Sequence, residues 1–519
     1  MAAAADYALP MPRVNPWLIA ATVISATFME VLDTSVANVS LPHIAGSLSA
    51  GVDESTWVLT SYLVSNAIVL PLTGWLSALF GRKRFFLACV LIFTISSLLC
   101  GMAPSLGALV FFRVVQGAGG GGMQPLSQAI LVDSFPREKQ GMAMAIYGMG
   151  VVVAPTLGPT LGGWITDNYS WRWIFLLNVP VGIISLLMIS LLISDPIHLV
   201  RKTFKQGLRI DFLGLGLLSV GLGFLQVILD KGERDDWFGS SFITWATVVC
   251  AVALIALVFR ELRTKDPVVD LHLFKDRNFA ISTFMMYTLG VVLYGTTLLL
   301  PIWLQTLMGY TAMQSGMVLL PGGLVLLAIL PFVGALLDRF EPRWIVVTGL
   351  LIMAAGLFQL SHLSLTAGTR APVNDWIISR MGTAFLFVPI NVMAFYFVPR
   401  GKMNNASGLI NLARNVGAST GISFVTTMLD RRAQFHQNVL AENLQAGNHH
   451  YRTALHYMSG VLATHGADAG HALSQAQALI YAEMQRQATM LAFVDDFRIN
   501  GTICLCVLPL LFVMRGRKR

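Results

Sequence analysis

Three ionisable residues stand inside runs that are otherwise apolar, and their spacing suits proton chemistry. Glu30 and Asp33 lie three residues apart in the run 17–40, so on a helix they share a face. Arg113 lies early in the run 107–131. If the two runs cross a membrane in opposite senses, Asp33 sits about 10 Å and Arg113 about 9 Å from the same surface, at a rise of 1.5 Å per residue. Equal depth predicts an ion pair between neighbouring helices. Burial favours a neutral carboxyl, whereas a nearby guanidinium favours the carboxylate. Moving the arginine, or bringing a cationic ligand beside the acid, switches its proton affinity. Charges inside apolar spans are costly enough that function is the default reading. A fixed structural ion pair is the competing one.

Further residues suit a transport path. Tyr62, Asn66, Gln124, Tyr287, Tyr294, Phe385 and Asn391 fall within apolar runs, and Gln305 just beyond one. Singly each reads as ordinary packing; as a set they suit a greasy, adaptable cavity. The run 141–165 carries Pro155, Gly158, Pro159, Gly162 and Gly163. Small residues at spacing four let helices approach, and proline bends them. The result is either plain packing or a bend that shapes and seals a cavity. Gly74, Gly81 and Arg82 end the second run; Gly334, Asp338 and Arg339 end the tenth. These suit cytoplasmic gating loops.

Other chemistries find little support. Gly117-x-Gly119-x-x-Gly122 matches a dinucleotide fingerprint but follows no strand. The sole Gly-Lys, Gly401-Lys402, is followed by Met403, so there is no Walker A motif. No cofactor is expected, and a proton gradient is the expected energy source. No catalytic set shares one depth, since His362 is the only histidine within a span, so an enzyme is not expected. A sensor would need a soluble domain, and no cytoplasmic segment is long enough to hold one. His436, His449, His450, His456, His465 and His471 cluster in 429–491 without metal-ligand spacing, so solvated histidines are expected there.

The elements that position these residues are membrane helices. Charged residues make up 12% of the 519, about half of what a soluble domain carries, and mean hydropathy is +0.67. So little charge cannot cover a water-soluble surface of this size. Apolar runs of about 20 residues occur at 17–40, 57–79, 84–103, 107–131, 141–165, 171–193, 210–229, 240–259, 279–299, 315–337, 343–363, 375–398, 404–428 and 492–514. Helices satisfy their own backbone in lipid, so fourteen transmembrane helices are predicted. With the N-terminus in the cytoplasm, the inner loops and tail gather Arg13, Arg82, Lys83, Arg84, Arg137, Lys139, Arg201, Lys202, Lys205, Arg209, Arg260, Arg263, Lys265, Lys275, Arg277, Arg339, Arg343, Arg400, Lys402, Arg515, Arg517, Lys518 and Arg519. The short outer loops hold only Arg172, Lys231, Arg234 and Arg370. This bias orients the chain and removes any need for a nucleic-acid patch. The five cysteines lie in apolar segments, which argues against a disulfide framework, and residues 1–16 do not read as a cleavable signal.

A weak internal repeat sets the plan. The stretch Gly74–Arg84 corresponds to Gly334–Arg343, Arg113 to Arg380, and Pro125 to Pro389. Spans 1–6 thus correspond to spans 9–14, with spans 7–8 inserted. The predicted organisation is a cytoplasmic N-terminus (1–16), a six-helix bundle (17–193), an inserted pair with linkers (194–277), a second six-helix bundle (278–514) and a basic cytoplasmic tail (515–519). The second bundle includes a long polar outer connection, 429–491, which looks helical. Its segment Ala472–Leu491, with Leu473, Ala476, Leu479 and Ile480, is expected to present a docking face.

Several motifs resemble one family. Leu32-Asp33-Thr34-Ser35, Arg113-Val-Val-Gln116-Gly117, Gly158-Pro159-Thr-Leu-Gly162-Gly163 and Trp171-Arg-Trp173-Ile-Phe-Leu-Leu-Asn178-Val-Pro180 resemble the major facilitator superfamily. Within it they resemble the fourteen-helix drug:proton antiporters of the EmrB/QacA type, over residues 17–514. The resemblance implies proton-coupled efflux of hydrophobic or amphiphilic compounds, with Arg113 in proton transfer and the Gly158 motif specific to exporters. Export of one endogenous metabolite or fatty acid is the alternative. Leu229-Asp230-Lys231-Gly232, Asp236-Trp237-Phe238 and the 429–491 connection imply a Gram-negative inner membrane, a periplasmic adaptor of the membrane-fusion type and an outer-membrane channel. Two positions depart from the pattern. Ala78 stands where the loop 2–3 motif has an acid, and Ala154 where a glycine is common.

Overall fold

Long apolar runs without strand punctuation fold as helices, and a computed structural model describes residues 14–136, 139–195, 211–264, 267–445, 447–464 and 468–514. Among these residues there are helices and no strand. The first half holds α1 (Pro16–Val39), α2 (Leu41–Ser47), α3 (Val52–Ser55), α4 (Trp57–Phe80), α5 (Arg82–Gly101), α6 (Leu106–Gly120), α7 (Met123–Ser134), α8 (Gln140–Asn168), α9 (Trp173–Leu176) and α10 (Asn178–Leu192). Next come α11 (Phe212–Lys231) and α12 (Ser241–Arg263). The second half holds α13 (Arg277–Thr306), α14 (Ala312–Arg339), α15 (Pro342–Leu360), α16 (Arg370–Phe395), α17 (Met403–Ala441), α18 (His449–Thr464), α19 (Ala469–Cys506) and α20 (Leu508–Val513). Arg13, Arg137, Arg201, Lys202, Lys205, Arg209, Lys265, His465 and the tail 515–519 lie outside the described residues.

Each predicted span coincides with helix. Among the described residues eleven helices are long and apolar enough to cross a membrane, and α8, bent by 45° between Pro155 and Thr160, makes a twelfth. The other two spans escape that measure for physical reasons. The fourth is broken at Gly121–Gly122 into α6 and α7, and the thirteenth, α17, turns Asn404, Ser407, Asn411 and Arg414 into the protein interior.

The halves meet along two seams, α8 against α14 and α4 against α17. Under the internal repeat α4 maps to α14 and α8 to α17, so each seam is the image of the other. The pair α11–α12 lies beside the α4–α17 seam and bonds to both helices. Gln226 donates to Ser419 at 2.7 Å, Thr60 bonds Asp230, and the Trp237 indole donates to Thr427 at 3.2 Å.

The outer connection 429–491 is helical, mostly as prolongation of its flanking spans. α17 has 39 residues and α19 has 38, close to 60 Å each, about twice the thickness of the hydrocarbon core. α18 packs on α19 with no buried residue. The expected docking face is only partly open. Ala476 is buried with Ala472, Met484 and Ala488, because that stripe seats α19 on its neighbours, while Leu473 and Leu479 point to the outside. The four expected residues lie on one side of the helix, but only Leu473 and Leu479 are open, Ile480 being half-buried.

Candidate functional site

Asp33 and Arg113 meet at the depth that helix geometry demands. Arg113 Nη1 donates to Asp33 Oδ2 at 2.5 Å, and both side chains are buried. Asp33 Oδ1 accepts from Gln116 Nε2 at 2.9 Å and from Asn178 Nδ2 at 2.7 Å. The guanidinium also donates to the Val58 carbonyl and to Gln116 Oε1, and lies 4.2 Å from the Tyr62 ring. A buried carboxylate held by three donors is what a charge inside a membrane requires.

Glu30, one turn earlier on α1, has other company. It accepts from Tyr62 at 3.2 Å, from Asn66 at 3.2 Å and from Gln124 at 2.5 Å. Gln124 in turn accepts from Arg414 of α17, and Asn66 from Asn415 at 3.3 Å. The site therefore reaches the second half. Deeper along the same interface, Gln128 bonds Ser407 and Asn411, each at 2.7 Å, and Asn391 at 3.3 Å.

The breaks and close contacts of the helices explain these meetings. A Cβ on Gly117 would lie 2.3 Å from the Tyr62 carbonyl oxygen, and one on Gly122 2.5 Å from Cys89 Sγ. Gly117 seats α6 against α4 and Gly122 seats the start of α7 against α5, so packing accounts for the glycines that mimic a nucleotide fingerprint. Gly158 and Gly162 press α8 onto α1, with Cβ positions 2.3 Å from Ser35 Oγ and 2.9 Å from Val36 Cγ1. Ser35 donates to the Pro155 carbonyl at 3.1 Å. Gly163 is half-buried beside them, and the side chain of Pro159 lies outside the described residues.

The helix ends carrying Gly74, Gly81 and Gly334 form closed contacts between the halves. A Cβ on Gly74 would fall 1.3 Å from Asn405 Oδ1, and one on Gly334 2.9 Å from the Ala145 Cβ. Gly81 takes φ +85°, open to glycine, to turn α4 into α5. Arg82 pairs with Asp133 of α7 at 2.7 Å, so an acid from another helix stands in for the one absent at Ala78. Asp338 and Arg339 lie exposed at the end of α14.

The expected cavity set divides. Tyr62, Asn66 and Gln124 gather around Glu30, and Asn391 joins the Gln128 cluster. Tyr294 is half-buried, and Tyr287 stacks on Phe284 with centroids 6.3 Å apart. Two expectations are corrected. Gln305 is exposed at the end of α13, past the apolar run, and Phe385 is half-buried with its Cβ packed on the Gly349 face of α15, so neither joins the residues around Glu30. Sequence reading missed Gln116, Asn178, Asn415 and, above all, Arg414. The rule that flagged Arg113 flags Arg414 too, since it lies mid-span in 404–428. In the second half Arg380, the counterpart of Arg113, donates to Thr296 at 3.3 Å and Thr297 at 3.1 Å, with Trp376 stacked 3.6 Å away.

Comparison with known proteins agrees with this architecture. The model of the Major Facilitator Superfamily matches residues 23–422. The chain is 36% identical over 489 residues to the multidrug export protein EmrB of Escherichia coli strain K12, covering 94% of this chain and 93% of that one. It is 39% identical over 435 residues to EmrB of Haemophilus influenzae, covering 84% of each. Its fold is similar to the proton:xylose symporter XylE, with TM-score 0.61 at 13% identity over 96% of this chain and 95% of that one. An all-helical chain with paired half-bundles, matched along its length in this way, belongs to the Major Facilitator Superfamily alongside the EmrB proteins.

Proposed function

We propose that this chain is a proton-coupled multidrug exporter of hydrophobic and amphiphilic compounds. It works in a bacterial inner membrane with both termini cytoplasmic. It passes substrate to a periplasmic adaptor of the membrane-fusion type and an outer-membrane channel; the multidrug export in the names of its EmrB relatives supports the efflux part of that reading. The observation that carries it is the pair of buried carboxyls on one face of α1, Asp33 bound by Arg113 and Glu30 bound by amides. Glu30 is bound by neutral donors only, so it takes up a proton without stranding a partner charge, whereas Asp33 stays tied to the Arg113 guanidinium. A cationic or polar drug group entering beside Glu30 competes for the same oxygens and releases that proton. The Asp33–Arg113 pair keeps the second acid charged until the helices move. The α8 bend brings Ser35 and Gly158 together and keeps this region sealed on one side. The proton gradient supplies the energy.

The test is proton release on adding candidate drugs to the purified protein in liposomes. Asp33→Asn is expected to abolish drug-driven proton movement in a folded protein. Exchange at the wild-type rate in that variant would remove Asp33 from the mechanism.

A further inference from the structure

The hydrogen bonds of the two acids run in different directions. Every side chain bound to Asp33 belongs to its own half: Arg113, Gln116 and Asn178. Glu30 instead reaches the other half twice. Gln124 donates from Nε2 to Glu30 Oε2 at 2.5 Å, and its Oε1 accepts from Arg414. Asn66 donates from Nδ2 to Glu30 Oε1 at 3.2 Å, and its Oδ1 accepts from Asn415 Nδ2 at 3.3 Å. Both relays begin on one carboxylate of α1 and end on consecutive residues of α17. The orientation of Gln124 is dictated by chemistry, since a carboxylate only accepts and a guanidinium only donates.

We propose that these two amide relays let the second half of the protein sense whether Glu30 carries a proton, with Gln124 and Arg414 as the positioning residues. The inference rests on the proton-coupled reading above and assigns the two acids separate tasks. A protonated Glu30 has turned one oxygen into a donor and no longer accepts fully from both amides. If Gln124 turns to compensate, its NH2 faces Arg414, donor against donor. A buried donor left unmatched is the expensive outcome, so the contact with α17 loosens. Besides Gln124, Arg414 has the Tyr147 hydroxyl of α8 beside it and the Phe387 ring 5.9 Å away, and its Nε has no hydrogen-bond partner among the described residues. The titratable groups near Glu30 are Tyr62 of α4, Tyr147 of α8, Tyr294 of α13 and Arg414 of α17. Asp33 lies one turn on, with Arg113 of α6 already bound to it. Arg414 is thus the cation free to answer Glu30.

The test uses the full chain in liposomes with spin labels at His43 and Met313, exposed on the outer ends of the two halves. A Cys506→Ser background suffices, because the other four cysteines are buried. The distance between the halves is followed as pH changes. Wild type is expected to shift between two populations, and Glu30→Gln to abolish the shift. Gln124→Met is expected to cut it to less than about one fifth by removing the differential contact. Asn415→Leu, at a half-buried site, tests the second relay if Gln124→Met folds poorly. Arg414→Lys, still a cationic donor, is expected to retain part of the response. A full response in Gln124→Met and Asn415→Leu overturns the relay, as does a full response in Glu30→Gln. Drug-driven proton release measured on the same liposomes separates the two readings. If Asp33→Asn abolishes release while the relay variants respond normally to pH, coupling stands and the relay fails. If Asp33→Asn and Glu30→Gln both release protons as wild type does, the coupling reading itself fails.

Discussion

Removing either member of the Asp33–Arg113 pair should have unequal consequences. With charge centres about 4 Å apart and an effective dielectric of about 20, the attraction is about 4 kcal/mol. Arg113→Ala takes away that attraction and leaves Asp33 with Gln116 and Asn178 alone. Stranding a buried charge in this way is expected to cost about 3–5 kcal/mol. Asp33→Asn preserves shape and leaves Arg113 its bonds to Val58 and Gln116 and its contact with the Tyr62 ring. The guanidinium keeps its charge without a counter-ion, so the retained contacts, about 0.5–2 kcal/mol for the ring, bring the expected loss only to the lower end of that range, about 3 kcal/mol. The double variant Asp33→Asn/Arg113→Ala should be more stable than the sum predicts, by about 2–3 kcal/mol. The assay is reversible unfolding in mixed detergent micelles across the four-member cycle, with drug-driven proton release measured in parallel. Additivity to within about 0.5 kcal/mol would refute an energetically coupled pair.

Three further outcomes are expected. Gly158→Val places its branch on Ser35, so α1 and α8 must part at a cost of about 1–3 kcal/mol, and Ser35→Gly in the same chain should recover part of it, read as thermal stability. Gly74→Val wedges the α4–α17 seam against the Asn405 backbone 2.9 Å away; thiol probes at that end should react faster and transport should fall, and Asn405→Gly should not restore it fully. Replacing residues 445–468, with α18, by a Gly/Ser linker should leave proton exchange in liposomes intact yet abolish resistance in cells and adaptor pull-down. Continued co-purification of the adaptor would place docking elsewhere, and the exposed Leu473 and Leu479 would be next to test.

Sequence by itself determined what the bilayer dictates one segment at a time. Each span must be about 20 apolar residues long and helical, so fourteen runs and their breaks were readable without tertiary information. Depth along a helix is also arithmetic, which is why Asp33 and Arg113 could be matched before any packing was known. Rotation and neighbourhood are not arithmetic. Phe385 sits in a span like Gln124, yet it packs on α15 rather than joining the residues around Glu30. Asp133 replaces an acid missing 55 residues earlier at Ala78, because α7 rather than the loop brings it to Arg82. Arg414 lies 384 positions from Glu30 in the chain, and only the α4–α17 seam, set by Gly74, Gly408 and their facing residues, brings it within reach. The same charge rule marks it within its span, but a single sequence does not say which of two half-bundles its side chain will face. That choice belongs to close packing, where a glycine admits one neighbour and excludes the rest.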